Sequence, residues 1–194
     1  MHKDYIQDGT KYPSVSTIIK DIYAKDEGFW RWKFFSKEAQ KKASTAAARG
    51  TRIHALIAGT ATGRRVRFTG ENRPLRPRLN DYLVDKKPVL VEQGLFSTLG
   101  FAGTPDFAYR SLVDGKLYLE DWKSGKIGFD SQKLQLGGYI QLVEEHLNEK
   151  LAGARLVQIK NSLVTPDNWV NIEKCRLNFQ RIFYIWKDKQ TNFD

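Results

Sequence analysis

The sequence predicts a mixed α/β fold: a central mixed sheet flanked by helices, with a mainly helical amino-terminal region. Three observations carry this. Before residue 87, apolar residues recur mostly at helical spacing. Between 89 and 123 the runs are β-prone, and an Asp114-Gly115 pair separates two of them. Beyond 131, helical and strand patterns alternate and end in a stripe of Phe179, Ile182, Phe183 and Trp186 at i, i+3, i+4, i+7. The chain reads as one domain, 1–194, in which 1–87 form the helical part and 88–194 the sheet core and closing helix.

Each element has its own reason. Pro13-Ser14 ahead of Val15, Ile18, Ile19 and Ile22 is a capped helix start. Residues 29–35 make a second helix, with Trp30 and Phe34 turned inward; Arg31 and Trp32 are its exposed part, suited to phosphates and bases. Residues 43–58 are an alanine-rich helix containing Gly50. Residues 59–77 form a loop with Arg64, Arg65, Arg67, Arg73 and Arg76, a composition that suits phosphate contacts. Leu79, Tyr82 and Leu83 mark a short helix. Strands are expected over 89–97, 101–112 and 117–123, a helix over 131–150, then strands over 156–164 and 169–172.

Bulk composition narrows the function. Of the 194 residues 41% are hydrophobic, enough for a folded core. The net charge of +10 and pI near 9.6 favour a polyanionic partner. One cysteine, Cys175, excludes an internal disulfide and any four-cysteine zinc or iron–sulfur site. No apolar stretch is long enough for a membrane span, and the first eight residues have no secretion-signal core, so a cytoplasmic protein is expected. Lys123-Ser124-Gly125-Lys126 looks like the end of an ATP-binding loop. The glycine that such a loop needs five positions before Gly125 is Glu120, so ATP is not expected.

Asp106 and Asp121-Trp122-Lys123 carry the chemistry. If Asp114 and Gly115 are the two loop residues of a hairpin, Val113 pairs with Lys116, Ala108 faces Asp121 and Asp106 faces Lys123. Side chains alternate faces, so Asp106, Asp121 and Lys123 share one, with the two acids diagonal neighbours at roughly 7–8 Å. Such a pair suits one Mg2+ or Mn2+, which polarises a phosphate and lowers the pKa of a bound water. Lys123 can orient that water or offset developing charge. The plain alternative is a surface hairpin with an ion pair worth ~0–1 kcal/mol. Glu120 and Trp122 point the other way, Trp122 beside Phe107 and beneath a helix. His54 is a candidate ligand on the alanine-rich helix. Gln135 and Tyr139 share one helix face. Gly137-Gly138 between them costs roughly 1 kcal/mol each in a helix, which implies the close approach of a nucleic-acid backbone or of the sheet.

In order, these motifs resemble the RecB-type branch of the PD-(D/E)xK nuclease superfamily. Gly50-Thr51-Arg52-Ile53-His54 resembles its histidine motif and Gly103-Thr104-Pro105-Asp106 its first acid. Asp121-Trp122-Lys123-Ser124-Gly125 is similar to its acid-x-lysine strand, with Asp for the commoner Glu. Gln135-Leu136-Gly137-Gly138-Tyr139 is similar to its Gln-x-x-x-Tyr helix motif. Residues 12–19 resemble the amino-terminal segment of stand-alone phage exonucleases and of the mitochondrial genome maintenance exonuclease. The resemblance implies a restriction-endonuclease-like core. It implies metal held by His54, Asp106, Asp121 and the Trp122 carbonyl, catalysis assisted by Lys123, and a further carboxylate in Glu92. Gln135, Tyr139, Arg49, Arg52, Ser124 and Lys126 would lie along the DNA. The implied activity is an Mg2+- or Mn2+-dependent exonuclease on single strands or duplex ends, in phage recombination or replication alongside a recombinase or single-strand-binding protein. A structure-selective endonuclease and a non-catalytic nucleic-acid-binding module are the alternatives.

Overall fold

The computed structural model describes residues 5–23 and 37–191. The helix expected over 29–35, with Arg31 and Trp32, lies outside the described residues. The chain opens with a hairpin, β1 (Tyr5–Gln7) and β2 (Thr10–Tyr12), and then α1 (Val15–Tyr23). Next come α2 (Lys37–Ala61), a 3-10 turn (Gly70–Asn72) and α3 (Leu75–Leu83). The sheet follows as β3 (Lys86–Val91), the small pair β4 (Leu95–Phe96) and β5 (Ala102–Gly103), β6 (Phe107–Ser111) and β7 (Leu117–Lys123). α4 (Asp130–Leu147), β8 (Gly153–Lys160), β9 (Leu163–Pro166) and α5 (Ile172–Thr191) complete it.

The central sheet is mixed, in the order β3-β6-β7-β8-β9. Only β7 and β8 run parallel, joined by α4 as a crossover helix. Alternation on β7 divides the core. Leu117 and Leu119 face α1, α4 and α5, with Phe101, Ile140, Phe179 and Phe183 packed beneath. Trp122 faces α2 and α3, against Ile53, Ile57, Leu75 and Leu79. The sheet is therefore covered on both faces, as an α/β layer structure requires. β7 and β8 end at one edge of the sheet, where β6 begins and β3 ends. No helix among the described residues is long and apolar enough to cross a membrane.

Several local expectations are corrected. The β6–β7 connection is a four-residue loop, 112–115, closed by Ser111 N–H donating to the Lys116 carbonyl at 2.9 Å. Arg110 thus pairs with Leu117 and Ala108 with Leu119, not Val113 with Lys116 or Ala108 with Asp121. A two-residue turn of the favoured type needs positive φ at both positions, and here only Gly115 has it, at 69°. Ser111 Oγ instead accepts Val113 N–H at 3.2 Å, which widens the loop. The slip is two residues, so every side chain keeps its face. The turn expected at 114–115 occurs at Asp8-Gly9, with φ of 50° and 76°, in an amino-terminal hairpin that the sequence reading treats as helical territory.

Residues 169–172 are not a strand. Asn171 Oδ1 accepts Lys174 N–H at 2.9 Å and starts α5, while Trp169 packs on Tyr118 and Arg155. The last strand is instead Leu163–Pro166, reached by a tight turn through Asn161 and Ser162 at φ of 51° and 59°. α4 stops at Leu147 because Asn148 adopts the left-handed conformation. Gly137 and Gly138 admit neither nucleic acid nor the sheet. A Cβ at Gly137 would lie 2.2 Å from the Cys175 carbonyl oxygen of α5, and one at Gly138 2.7 Å from Val15 of α1. They let three helices cross closely. Gly137→Ala should cost about 1–3 kcal/mol in urea unfolding, more than Gly138→Ala, because a carbonyl in a helix yields less than a valine methyl.

Candidate metal centre

The acids converge at the sheet edge where β6 begins and β3 and β7 end. Asp106 sits one residue before β6, and the observed register places it directly opposite Asp121 rather than diagonal to it. Its Oδ2 accepts the Trp122 N–H at 2.6 Å, which ties the two strands at this level. Asp121 is fully buried, and among the described residues neither of its oxygens meets a donor in hydrogen-bond geometry. Lys123 Nζ stands 2.5 Å from Asp121 Oδ2 as an ion pair. Two residues apart on one strand, they share a face.

Glu92 follows β3 directly. Its N–H donates to the Asp106 carbonyl at 3.0 Å, and its φ is 50°, a left-handed value that costs a non-glycine residue roughly 1–2 kcal/mol. That strain turns the Glu92 carboxylate toward α2, where His54 waits. His54 Nδ1 lies 3.0 Å from Glu92 Oε1 and 3.4 Å from Asp106 Oδ1, and Nε2 donates to the Trp122 carbonyl at 2.9 Å. Donor atoms of His54, Glu92 and Asp106 all lie within 4.8 Å of one another. Trp122 itself points away and stacks beside Phe107, so its backbone serves the site while its ring serves the core.

Electrostatics follow from this crowding. Burial alone would lower the His54 pKa, but hydrogen bonds and charge from Asp106 and Glu92 raise it to about 10. Asp106 is pushed up by burial, yet His54, Lys123 and the Trp122 N–H bring it below the usual carboxylate range. Asp121 moves the other way. Burial raises it; Lys123 only partly offsets this, and the Asp106 charge adds to it, so its pKa rises to about 7.

α4 supplies the rest. Lys123 Nζ donates to Gln135 Oε1 at 2.9 Å, and Gln135 Nε2 donates to Tyr139 Oη at 2.8 Å. Gln135 and Tyr139 therefore aim the lysine. Arg49 Nη2 donates to the Ser124 carbonyl at 2.9 Å, and Gly50 lets α2 approach Ser124. Arg49 thus braces the loop after β7, whereas Arg52 and Lys126 are exposed. Glu120, the neighbouring acid, takes no part. It is buried on the opposite face, where Tyr82 and Arg155 donate to its Oε1, each at 2.7 Å. One participant escaped the sequence reading: Tyr5 of β1, whose hydroxyl is 2.8 Å from Thr104 Oγ1, two residues before Asp106. Its only sequence signal was the Asp8-Gly9 turn that folds β1 back onto the core.

The donor set fits a hard divalent cation. His54, Glu92 and Asp106 offer an imidazole and two carboxylates close enough together to hold a metal ion, while Asp121 stands opposite Asp106 in its ion pair with Lys123. No family model matches the chain, and neither does any curated protein. Among solved structures, the crystal structure of SSO0001 is similar at a TM-score of 0.46 and 12% identity, over 93% of this chain and 79% of that one.

Asp121→Asn tests the electrostatics. The aspartate's folded pKa is raised above its ordinary 3.8, so its ionisation costs stability as pH rises toward about 7 and no further beyond it. Thermal melts of the metal-free variant should match the wild type near pH 4, gain on it up to about pH 7, and level off ahead by about 1–3 kcal/mol. Mn2+ should raise the wild-type Tm above pH 7 and leave that of the variant nearly unmoved.

Proposed function

We propose that the chain is a metal-dependent DNA nuclease that hydrolyses phosphodiester bonds, acting as an exonuclease on single strands or DNA ends. The observation that carries this reading is the cluster of His54, Glu92 and Asp106 at one sheet edge, with the Trp122 carbonyl bonded to His54 and with Asp121, paired to the Lys123 ammonium, opposite Asp106. A bound Mg2+ or Mn2+ supplies Lewis-acid chemistry there, polarising the phosphate and making water a nucleophile at neutral pH. The four motifs and their order, which resemble the RecB-type PD-(D/E)xK nucleases, point the same way.

The side chains divide the work. His54, Asp106, Asp121 and the Trp122 carbonyl hold the cation, and Glu92 completes the set from its strained turn. Lys123 holds a positive charge where the phosphate gains negative charge, and it can orient the attacking water through Nζ. The Gln135–Tyr139 pair keeps that ammonium from collapsing wholly onto Asp121. In this reading water attacks phosphorus directly, without a covalent enzyme intermediate. Arg64 lies beside His54 and Glu92, and Arg52 and Lys126 are exposed, which supports a basic approach for a phosphate backbone. Polyanion binding and hydrolysis are thereby separable.

End-labelled single- and double-stranded DNA with Mg2+, Mn2+ or chelator tests the reading. Wild type should degrade DNA only with metal. Asp106→Ala, Asp121→Ala and Lys123→Ala should each lose about 100-fold or more in kcat while melting cooperatively. Covalently closed single-stranded circles should survive; their cleavage would make the enzyme an endonuclease. Unchanged cleavage by Asp121→Ala would overturn the assignment.

A further inference from the structure

A cleft of about 570 Å3 runs along α2 beside the cation centre. His54 and Glu92 form the end next to the centre, and Arg64 is also part of the lining. The α2 wall is built from Gly50, Thr51, Ala55 and Ala58, which lie with His54 on one flank of the helix. α2 meets the sheet through a different flank, with Ile53 and Ile57. Thr51 and Ala55 are exposed, so core packing does not require them to be small. A wall of such residues keeps the space beside His54 open.

The cleft is also polarised. Arg64 is anchored through its Nε–H to Thr62 Oγ1 at 3.1 Å, and Thr62 donates in turn to the Ala58 carbonyl at 2.8 Å. Its Nη groups make no hydrogen bond among the described residues. Among the described residues Glu92 is the only acid in the lining, and it belongs to the cluster with His54 and Asp106. Volumes of about 300–1,000 Å3 suit one small ligand rather than the groove of a duplex. We infer that this cleft holds a single unpaired nucleotide adjoining the phosphate to be cut. Its base and sugar lie along Thr51 and Ala55, and its next phosphate reaches Arg64. The inference rests on the nuclease reading only in naming the neighbouring phosphate as the scissile one. It makes the substrate a strand unpaired at the cut, an energetic cost that frayed or single-stranded ends avoid.

Calorimetry on the full chain, with and without Mn2+, tests this using thymidine 5′-monophosphate, thymidine 3′-monophosphate and inorganic phosphate. Wild type should bind one nucleotide about tenfold or more tightly than inorganic phosphate. Ala55→Leu, which keeps helix propensity and fills the cleft, should reduce that excess to about twofold or less, whereas Ala55→Ser should retain it. Arg64→Ala should weaken nucleotide binding in parallel. The rise in Tm with Mn2+ should persist in all three variants, as their cation ligands are untouched. Nucleotide binding no tighter than phosphate, or an Ala55→Leu variant that binds like wild type, overturns the inference. Because binding is read without turnover, a protein that binds nucleotide but cuts no DNA sinks the nuclease reading alone. One that cuts DNA without preferring nucleotide sinks the cleft alone.

Discussion

Two carboxylates face each other where β6 meets β7, and the structure around them is organised by that conflict. Like charges at neighbouring positions in a buried setting disfavour joint ionisation, and each buried charge needs a partner. Asp106 is compensated by His54 and by the Trp122 N–H. Asp121 is left with a lysine on its own strand. The resulting imbalance separates the two groups, one easily ionised and one reluctant. Sites with that asymmetry are more often functional than structural.

Holding the conflict in place needs rigid support from three directions. α2 pins His54 between Glu92 and the Trp122 carbonyl. α4 presents Gln135 and Tyr139 to Lys123, and its paired glycines let α5 and α1 nest against it. The strained Glu92 backbone brings the last carboxylate inward. α4 therefore serves both packing and the centre: Gly137 and Gly138 set how closely α5 and α1 approach it, while Gln135 and Tyr139 of the same helix reach Lys123.

Much of this was legible in the sequence because period-two alternation is insensitive to small errors of alignment. The 114–115 turn was misplaced, yet Asp106, Asp121 and Lys123 still fell on one face, since the loop differs by an even number. What was illegible lacked a local signal. Nothing near Glu92 announces a left-handed backbone, and its place came only from the motif order. The helix partners of Gly137 and Gly138 lie far along the chain at Val15 and Cys175, so the need for small residues was visible and its cause was not. Asp8-Gly9 is the same dipeptide as Asp114-Gly115, but its flanking strands are three residues each, too short for alternation to register.

The Glu120 contacts with Arg155 and Tyr82 have a bearing on how the chain assembles. β7 carries one acid that must meet Arg155 beneath α3 and, next to it, another that must meet Lys123 beneath α4. Sliding the strand by a single position would send each acid into the other's chamber and drive the Trp122 indole into a crowded wall. Such a misthreaded state would part Glu120 from Tyr82 and Arg155 and Asp106 from the Trp122 N–H, whereas Asp121 and Lys123, carried on one strand, would move together. The far side of the sheet thus proofreads the alignment on which the near side relies.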